Sequence, residues 1–473
     1  MKTWLLNRWE DLRTNFWFVP STMVAWAVAL SLATVRLDRA TADRNWVATL
    51  GWTFTRGPEG SRAVLSAVAS SMMTITSVAF SIPVVALQLA SSQFGPRLLR
   101  NFVRDRINQA ALGTFIATFT YCLLVLRTVN GTEEERFVPH LSVTLGLLLA
   151  LASLGMLIYF FHHAATSIQA DHVIAEVSRE LHYAVDRLFP ECLGQGEPGV
   201  VRGQVSGNLP TGFDRASSPV LSDHGGYIQA IDVDSLLSVA VERDLIIQLS
   251  RRPGKFIIAG GELARIWPSN RIDDALAGEV REAFYLGLQR TLTQDVEFAI
   301  DQLVEVSVRA LSPGVNDPFT AMACLDRLGE ALCTLTCREV PSPYRYDDAG
   351  RLRAVTDVST LPGIVDAAFH QIRQASRGNA AVTFRLLETI AEVAGRTRDP
   401  AFLAALGRHA RLVYHGSQEA LSEPWDRQEA HLRFQDILRQ TDASVPGMER
   451  PSVAPARGDS REQQDRERLA NVT

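Results

Sequence analysis

Apolar residues crowd into the first third of this chain and thin out after Ala165. Four long apolar stretches stand there, at residues 16–35, 63–90, 110–126 and 141–161. Crossing a bilayer takes about 20 mostly apolar residues, and all four suit a span. The pattern predicts an α-helical membrane protein with about four transmembrane helices in residues 1–165. Lys2, Arg8 and Arg13 precede the first stretch as they would a signal peptide. Its apolar run is longer than such a peptide needs and carries Trp17 and Trp26, which suits an uncleaved anchor.

Past Phe161 the pattern turns polar. Residues 166–188 read as a helix leaving the membrane, stopped near Pro190, and residues 191–226 as a Gly-, Pro- and Ser-rich linker. Short β-rich runs broken by Pro253-Gly254 and Gly260-Gly261 predict a small antiparallel sheet or barrel over about 225–268. These runs look like lipoyl-type hairpins, but no lysine sits at the matching turn, so a structural sheet is the better reading. Three- and four-residue apolar spacing predicts helices through 271–440. Residues 312–318 interrupt them as a tight turn from which Pro318 starts the next helix. The expected fold is therefore four spans followed by an α-rich α+β domain, residues 166–440, with a small sheet. Residues 441–473, poor in apolar side chains, are expected to be disordered. No internal repeat is evident.

Charge sets the expected orientation. Arg97, Arg100, Arg104 and Arg106 lie between the second and third stretches, whereas Glu133, Glu134 and Glu135 lie between the third and fourth. The positive-inside rule then puts both termini and the soluble domain in the cytoplasm. The first loop dissents with Arg39, Arg44, Arg56 and Arg62, and Trp46 and Trp52 suggest that it rests partly in the interface. The formal net charge is only -5, so no global field argues for nucleic acid. The five cysteines, Cys122, Cys192, Cys324, Cys333 and Cys337, form no C-x-x-C pair and predict reduced thiols rather than a metal site. Neither a metal nor another cofactor is called for.

Two segments carry a family resemblance. One is Phe80-Ser81-Ile82-Pro83-Val84-Val85-Ala86-Leu87-Gln88-Leu89-Ala90-Ser91-Ser92-Gln93-Phe94-Gly95-Pro96-Arg97-Leu98-Leu99. The other is Arg309-Ala310-Leu311-Ser312-Pro313-Gly314-Val315-Asn316-Asp317-Pro318-Phe319-Thr320-Ala321. With the membrane-then-soluble layout, the chain resembles the bacterial predicted membrane proteins of the domain of unknown function 2254 family. That resemblance implies a bacterial inner-membrane protein and brings no activity with it.

The second stretch is the most informative for function. Ser66, Ser70, Thr74, Ser77, Ser81, Gln88 and Ser92 fall within one arc of about 80° on a helix, opposite Val68, Met72, Ile75, Ala79 and Ile82. Such a stripe can line a water-filled pathway between subunits. It can equally be a close packing face, where small hydroxyl residues let helices approach. Pro83 complicates both by freeing a carbonyl. Arg97, Arg100 and Arg104 share one face of a short amphipathic segment and are candidates to hold lipid phosphates or to gather anions at a pore mouth.

In the soluble part, Glu297, Asp301 and Glu305 form an acidic stripe, read as a solvated face in preference to a metal or acid–base site. Asp366 and His370 make an i,i+4 pair, and His162, His163 and His172 lie off any one helical face. No phosphate-binding glycine loop, nucleophile elbow or H-E-x-x-H motif is present, which puts an enzyme third among the readings. The first is a homo-oligomeric channel or transport-related protein in the lipid bilayer, with the second span at its centre. The alternative is a membrane-anchored sensor or scaffold whose cytoplasmic domain binds a ligand or protein partner.

Overall fold

The computed structural model describes residues 17–41, 57–93, 105–129, 137–167, 169–189 and 209–442. The first loop with Trp46 and Trp52, the segment with Arg97, Arg100 and Arg104, most of the expected linker and the tail lie outside them.

Among the described residues four helices are long and apolar enough to cross a membrane: α1 (Phe18–Thr41), α2 (Pro58–Gln93), α3 (Arg106–Thr128) and α4 (His140–Ser167). The bundle is built around α3, which packs on the other three. Gly113 permits its contact with α1, because a Cβ there would meet Met23 Sδ at 2.5 Å and the Pro20 backbone at 3.2 Å. In a bilayer such close approach and interhelical hydrogen bonds replace the hydrophobic effect as the cement. Thr118 and Ser153 share one such bond at 2.9 Å, and the Tyr121 hydroxyl donates to the Ser142 carbonyl at 3.1 Å.

Both ends of the bundle are fastened by carboxylates. Asp38, near the end of α1, accepts from the Leu141 and Ser142 amides at 3.0 and 2.9 Å, and so caps α4 from another helix. At the opposite end Asp105 caps α3 and meets His163 of α4 at 2.5 Å. The end of α4 and the start of α3 therefore share one side, from which the rest of the chain emerges.

Where one helix over residues 166–188 was expected to leave the membrane, α4 ends at Ser167 and a separate helix, α5, spans Ala170–Leu188. Next come α6 (Phe213–Ala216), β1 (Ser218–Leu221), β2 (Gly226–Ile231), α7 (Val233–Glu242), β3 (Ile246–Leu249), β4 (Phe256–Ile257), β5 (Glu262–Trp267), α8 (Asp274–Glu282) and β6 (Phe284–Gly287). After α9 (Val296–Ala310) and α10 (Pro318–Leu335) lie β7 (Tyr344–Tyr346) and β8 (Leu352–Val355). The chain closes with α11 (Leu361–Ala375), α12 (Ala380–Arg396), α13 (Pro400–Ala420) and α14 (Pro424–Asp442).

Among the described residues two sheets form, ordered β1-β5-β3-β8-β7 and β4-β2-β6. The pairing of β3 with β8 is parallel and the others are antiparallel. The β region is thus not confined to about 225–268. Three short strands come from within the stretch expected to be helical, and β8 is recruited across more than a hundred residues. The sheets and α7–α8 enclose one core, with Ile228, Leu236, Ile247, Leu263 and Ile266 at its heart.

A larger second core lies between α5 and α9–α14, around Leu181, Leu303, Leu325, Phe369, Leu386 and Phe402. Its helices start at side-chain caps: Asp295 for α9, Asp317 for α10, Thr360 for α11, Asn379 for α12 and Asp399 for α13. The expected turn is one of these starts, with Asn316 in the left-handed region at φ 49° and Pro318 in the first turn of α10.

Candidate functional site

Helix α2 has 36 residues, about 54 Å at 1.5 Å per residue, and runs unbroken through Pro83. That length exceeds the roughly 30 Å hydrocarbon core of a bilayer. Its inner side buries Leu65, Ala69, Met72, Ala79 and Ala86 against the bundle, with Val68, Ile75 and Ile82 half-buried beside them. The polar arc points the other way. Ser66, Ser70, Thr74, Ser77, Ser81 and Gln88 are all exposed on the outside of the single chain. By helical angle, Met73 and Phe80 flank the arc on one side and Val78 and Val85 on the other, each of them exposed. The side chain of Ser92 and the whole of Arg97, Arg100 and Arg104 fall outside the described residues.

Three of these hydroxyls satisfy themselves within the helix. Thr74 donates to the Ser70 carbonyl at 3.1 Å, Ser77 to Met73 at 3.0 Å and Ser81 to Val78 at 2.7 Å. That lets them face an apolar medium at modest cost. Gln88 is different: its exposed carboxamide has two donors and an acceptor to satisfy.

The acidic stripe of the soluble domain is a joint rather than a solvated face. Glu297 is buried and accepts from Arg252 at 2.5 Å and Lys255 at 3.4 Å, both from the β region. Arg290 bridges Asp295 at 2.7 Å and Asp301 at 2.5 Å. Glu305 pairs with Arg309 one turn on, at 3.6 Å. The cations come from strand ends and loops that spacing along α9 does not reveal. Burial pushes the Asp295 carboxyl above its ordinary range despite Arg290. Gly254, at φ +88°, packs so close to that carboxylate that a side chain there would displace it.

Asp366 and His370 do not pair. Asp366 instead receives His409 Nε2 at 2.7 Å together with Arg408 of α13. Burial works to raise the Asp366 carboxyl, and those two hydrogen bonds outweigh it, so it lies below the usual carboxylate range. Burial also holds the His409 imidazole below its ordinary value. Among the described residues no group of three His, Cys, Asp or Glu is placed to hold a metal ion, and His162, His163 and His172 are not brought together as one. Cys324 is buried, which pushes its thiol well up and leaves it a poor nucleophile. Cys333 is partly buried within α10, while Cys337 lies beyond its end and is exposed.

Two features escaped the sequence pattern. Arg353 is buried on β8 and holds Asp347 and Asp244 at 2.9 and 2.8 Å, tying the late strands to the β region. A groove of about 400 Å³ runs between α10, α12 and α14, lined by Phe319, Met322 and Phe384. Its charges are already matched, Arg385 to Asp326 and Glu388, and Arg433 to Glu388.

An apolar four-helix bundle carrying a mixed helical and sheet domain defines a membrane protein with a large extramembrane part. The chain belongs to the family described as "Predicted membrane protein (DUF2254)", which matches residues 13–392. It is similar to uncharacterized proteins of Mycobacterium tuberculosis and Mycobacterium bovis, each 33% identical over 375 residues, spanning 78% of this chain and 70% of theirs. No solved structure matches the chain.

Proposed function

We propose that the protein forms a homo-oligomeric channel or transport-related assembly in which α2 of each copy lines a shared pathway. One observation carries the reading: the polar arc of α2 lies outside the single-chain bundle, while the helix's apolar face packs inward. Lipid tolerates the self-bonded hydroxyls singly, but Gln88 leaves an amide to satisfy, and the arc as a whole is better matched to water. Copies arranged with these arcs towards a common axis would give the row water, and the flanking Met73, Phe80, Val78 and Val85 would form contacts between copies. The soluble domain and both termini lie in the cytoplasm in this reading, following the arginine-rich loop after α2.

Cysteine scanning in a background lacking Cys122 tests it. Cysteines at Ser70, Thr74, Ser77 and Ser81 are expected to react with small water-soluble thiol reagents, and cysteines at Val68, Ile75 and Ile82 to stay inert. Ser77→Leu should keep the oligomer and block conduction by narrowing and drying the lumen. Inert arc positions that cross-link between copies, with the oligomer lost in Ser77→Leu, would replace the pathway by a packing face. Inert positions that form no cross-link would leave the arc in lipid and favour the anchored sensor or scaffold.

A further inference from the structure

The direction of each soluble helix follows from its pairings. Helix α5 begins at Ala170, directly after α4, so its start lies at the membrane side. At its far end Arg187 binds the Leu292 and Thr293 carbonyls just before α9, and Asp186 meets Arg338 just after α10. Helix α9 therefore runs back towards the membrane and touches α2, and α10 starts there. Asp326 pairs with Arg385, and Gly329 abuts Thr389, so α12 runs parallel to α10. Glu388 pairs with Arg433, and Gly395 faces Gln440, so α14 runs parallel to α12. Carried back to the first turns, these registers set Phe319, Ala380 and Trp425 level on three adjacent helices.

That end of the bundle presents bare apolar side chains on three neighbouring segments, as Leu288 and Ile258 do singly in the β region. Phe319 is 76% exposed and Trp425 75%, while Val315, at the tip of the turn between α9 and α10, is 47% exposed. The Asp317 cap and the Ser312 carbonyl, which accepts from the Asn316 amide at 2.9 Å, hold this turn in shape, so the exposure is built in. Arg427 pins the turn before α14 through the Leu421 and Ser422 carbonyls at 2.7 and 3.1 Å. In water a rigidly presented Trp and Phe at one level are a poor surface, whereas at a bilayer interface they are its preferred anchors.

We propose that this helix-end face docks on the bilayer surface, with Val315, Phe319 and Trp425 seated among the lipid headgroups and upper acyl chains. The proposal rests on α1–α4 crossing the membrane, since that fixes where the surface lies. The seating is continuous with the spans: only two residues separate α5 from α4, and α9 reaches α2, so the face has little room to stand off. Docking would clamp the soluble domain to the foot of α2 rather than leave it on a tether.

Depth-dependent quenching of the full-length protein in lipid vesicles tests this. Single cysteines replace Phe319, Trp425, Val340 and Leu151 in a cysteine-free background, each carrying a small fluorophore. Val340 lies beyond α10 at the opposite end of the bundle, and Leu151 is exposed mid-way along α4. Lipids brominated near the headgroup should quench the labels at 319 and 425 at least about two-fold more than the label at 340, as expected for side chains at interfacial depth. Mid-chain bromines should quench the label at 151. Labels at 319 and 425 that behave like the one at 340, while 151 is quenched, would overturn the docking. Shielding of 319 and 425 from an aqueous quencher without lipid quenching would also overturn it and assign the face to a second copy. An unquenched label at 151 would instead sink the membrane-spanning reading, and the docking with it.

Discussion

The spans α1–α4 and the soluble helices α9–α14 are both helix bundles, and their outer surfaces are opposites. Around the spans, Trp26, Phe80, Leu151 and Ile158 stand exposed, as lipid-facing side chains do. Around α9–α14 the surface is charged and laced with pairs such as Arg385 with Asp326 and Arg433 with Glu388. The interiors also differ. The soluble core is a continuous set of large side chains expelled from water, whereas the spans meet through Gly113, small residues and a few shared hydrogen bonds. What each region exposes against its own solvent is then the informative part. In the spans that is the polar arc of α2, and in the soluble domain it includes Val315, Phe319 and Trp425, which share one end of the helix bundle.

If the two bundles are held by different forces, mutations should rank accordingly. Phe369→Ala removes a fully buried ring from the soluble core and should cost about 3–5 kcal/mol, measured by denaturant unfolding of that domain. A loss under about 1 kcal/mol would mean that the core closes over the gap, and would blur the contrast. Glu297→Gln should cost on the order of 1–2 kcal/mol, less than the 3–5 of a fully buried pair, because Arg252 and Lys255 keep some water. Glu305→Gln, which weakens a partly exposed pair with Arg309 one turn on, should stay within about 0.5 kcal/mol. Equal effects at the two positions would return the stripe to a uniform solvated face. Thr118→Val deletes the bond to Ser153 at nearly constant shape and should cost about 0.6 kcal/mol, read as a small drop in the melting temperature in detergent. A loss as large as that of Phe369→Ala would show the spans to depend on polar contacts far more than expected.

The sequence alone determined the four apolar helices, within a few residues at each end, because a length of about 20 apolar residues has hardly another use. It determined the start of α10 as well, since Asn316, Asp317 and Pro318 each favour one place in such a turn. The angular placement of Ser66 through Gln88 was equally legible, being fixed by helical geometry. What that arc faces was not, because only the packing of α2 on α3 and α4 turns it outward. Strands of three or four residues such as β7 and β8 carry too little pattern to be seen, and β8 pairs with β3 from more than a hundred residues away. The acidic stripe took its meaning from Arg252 and Arg290, brought to α9 by the meeting of two cores. His409, rather than His370, reached Asp366 because α13 lies beside α11, and chain proximity cannot report such a neighbour. The exposed level of Phe319 and Trp425 is likewise a product of helix registers that no single segment encodes.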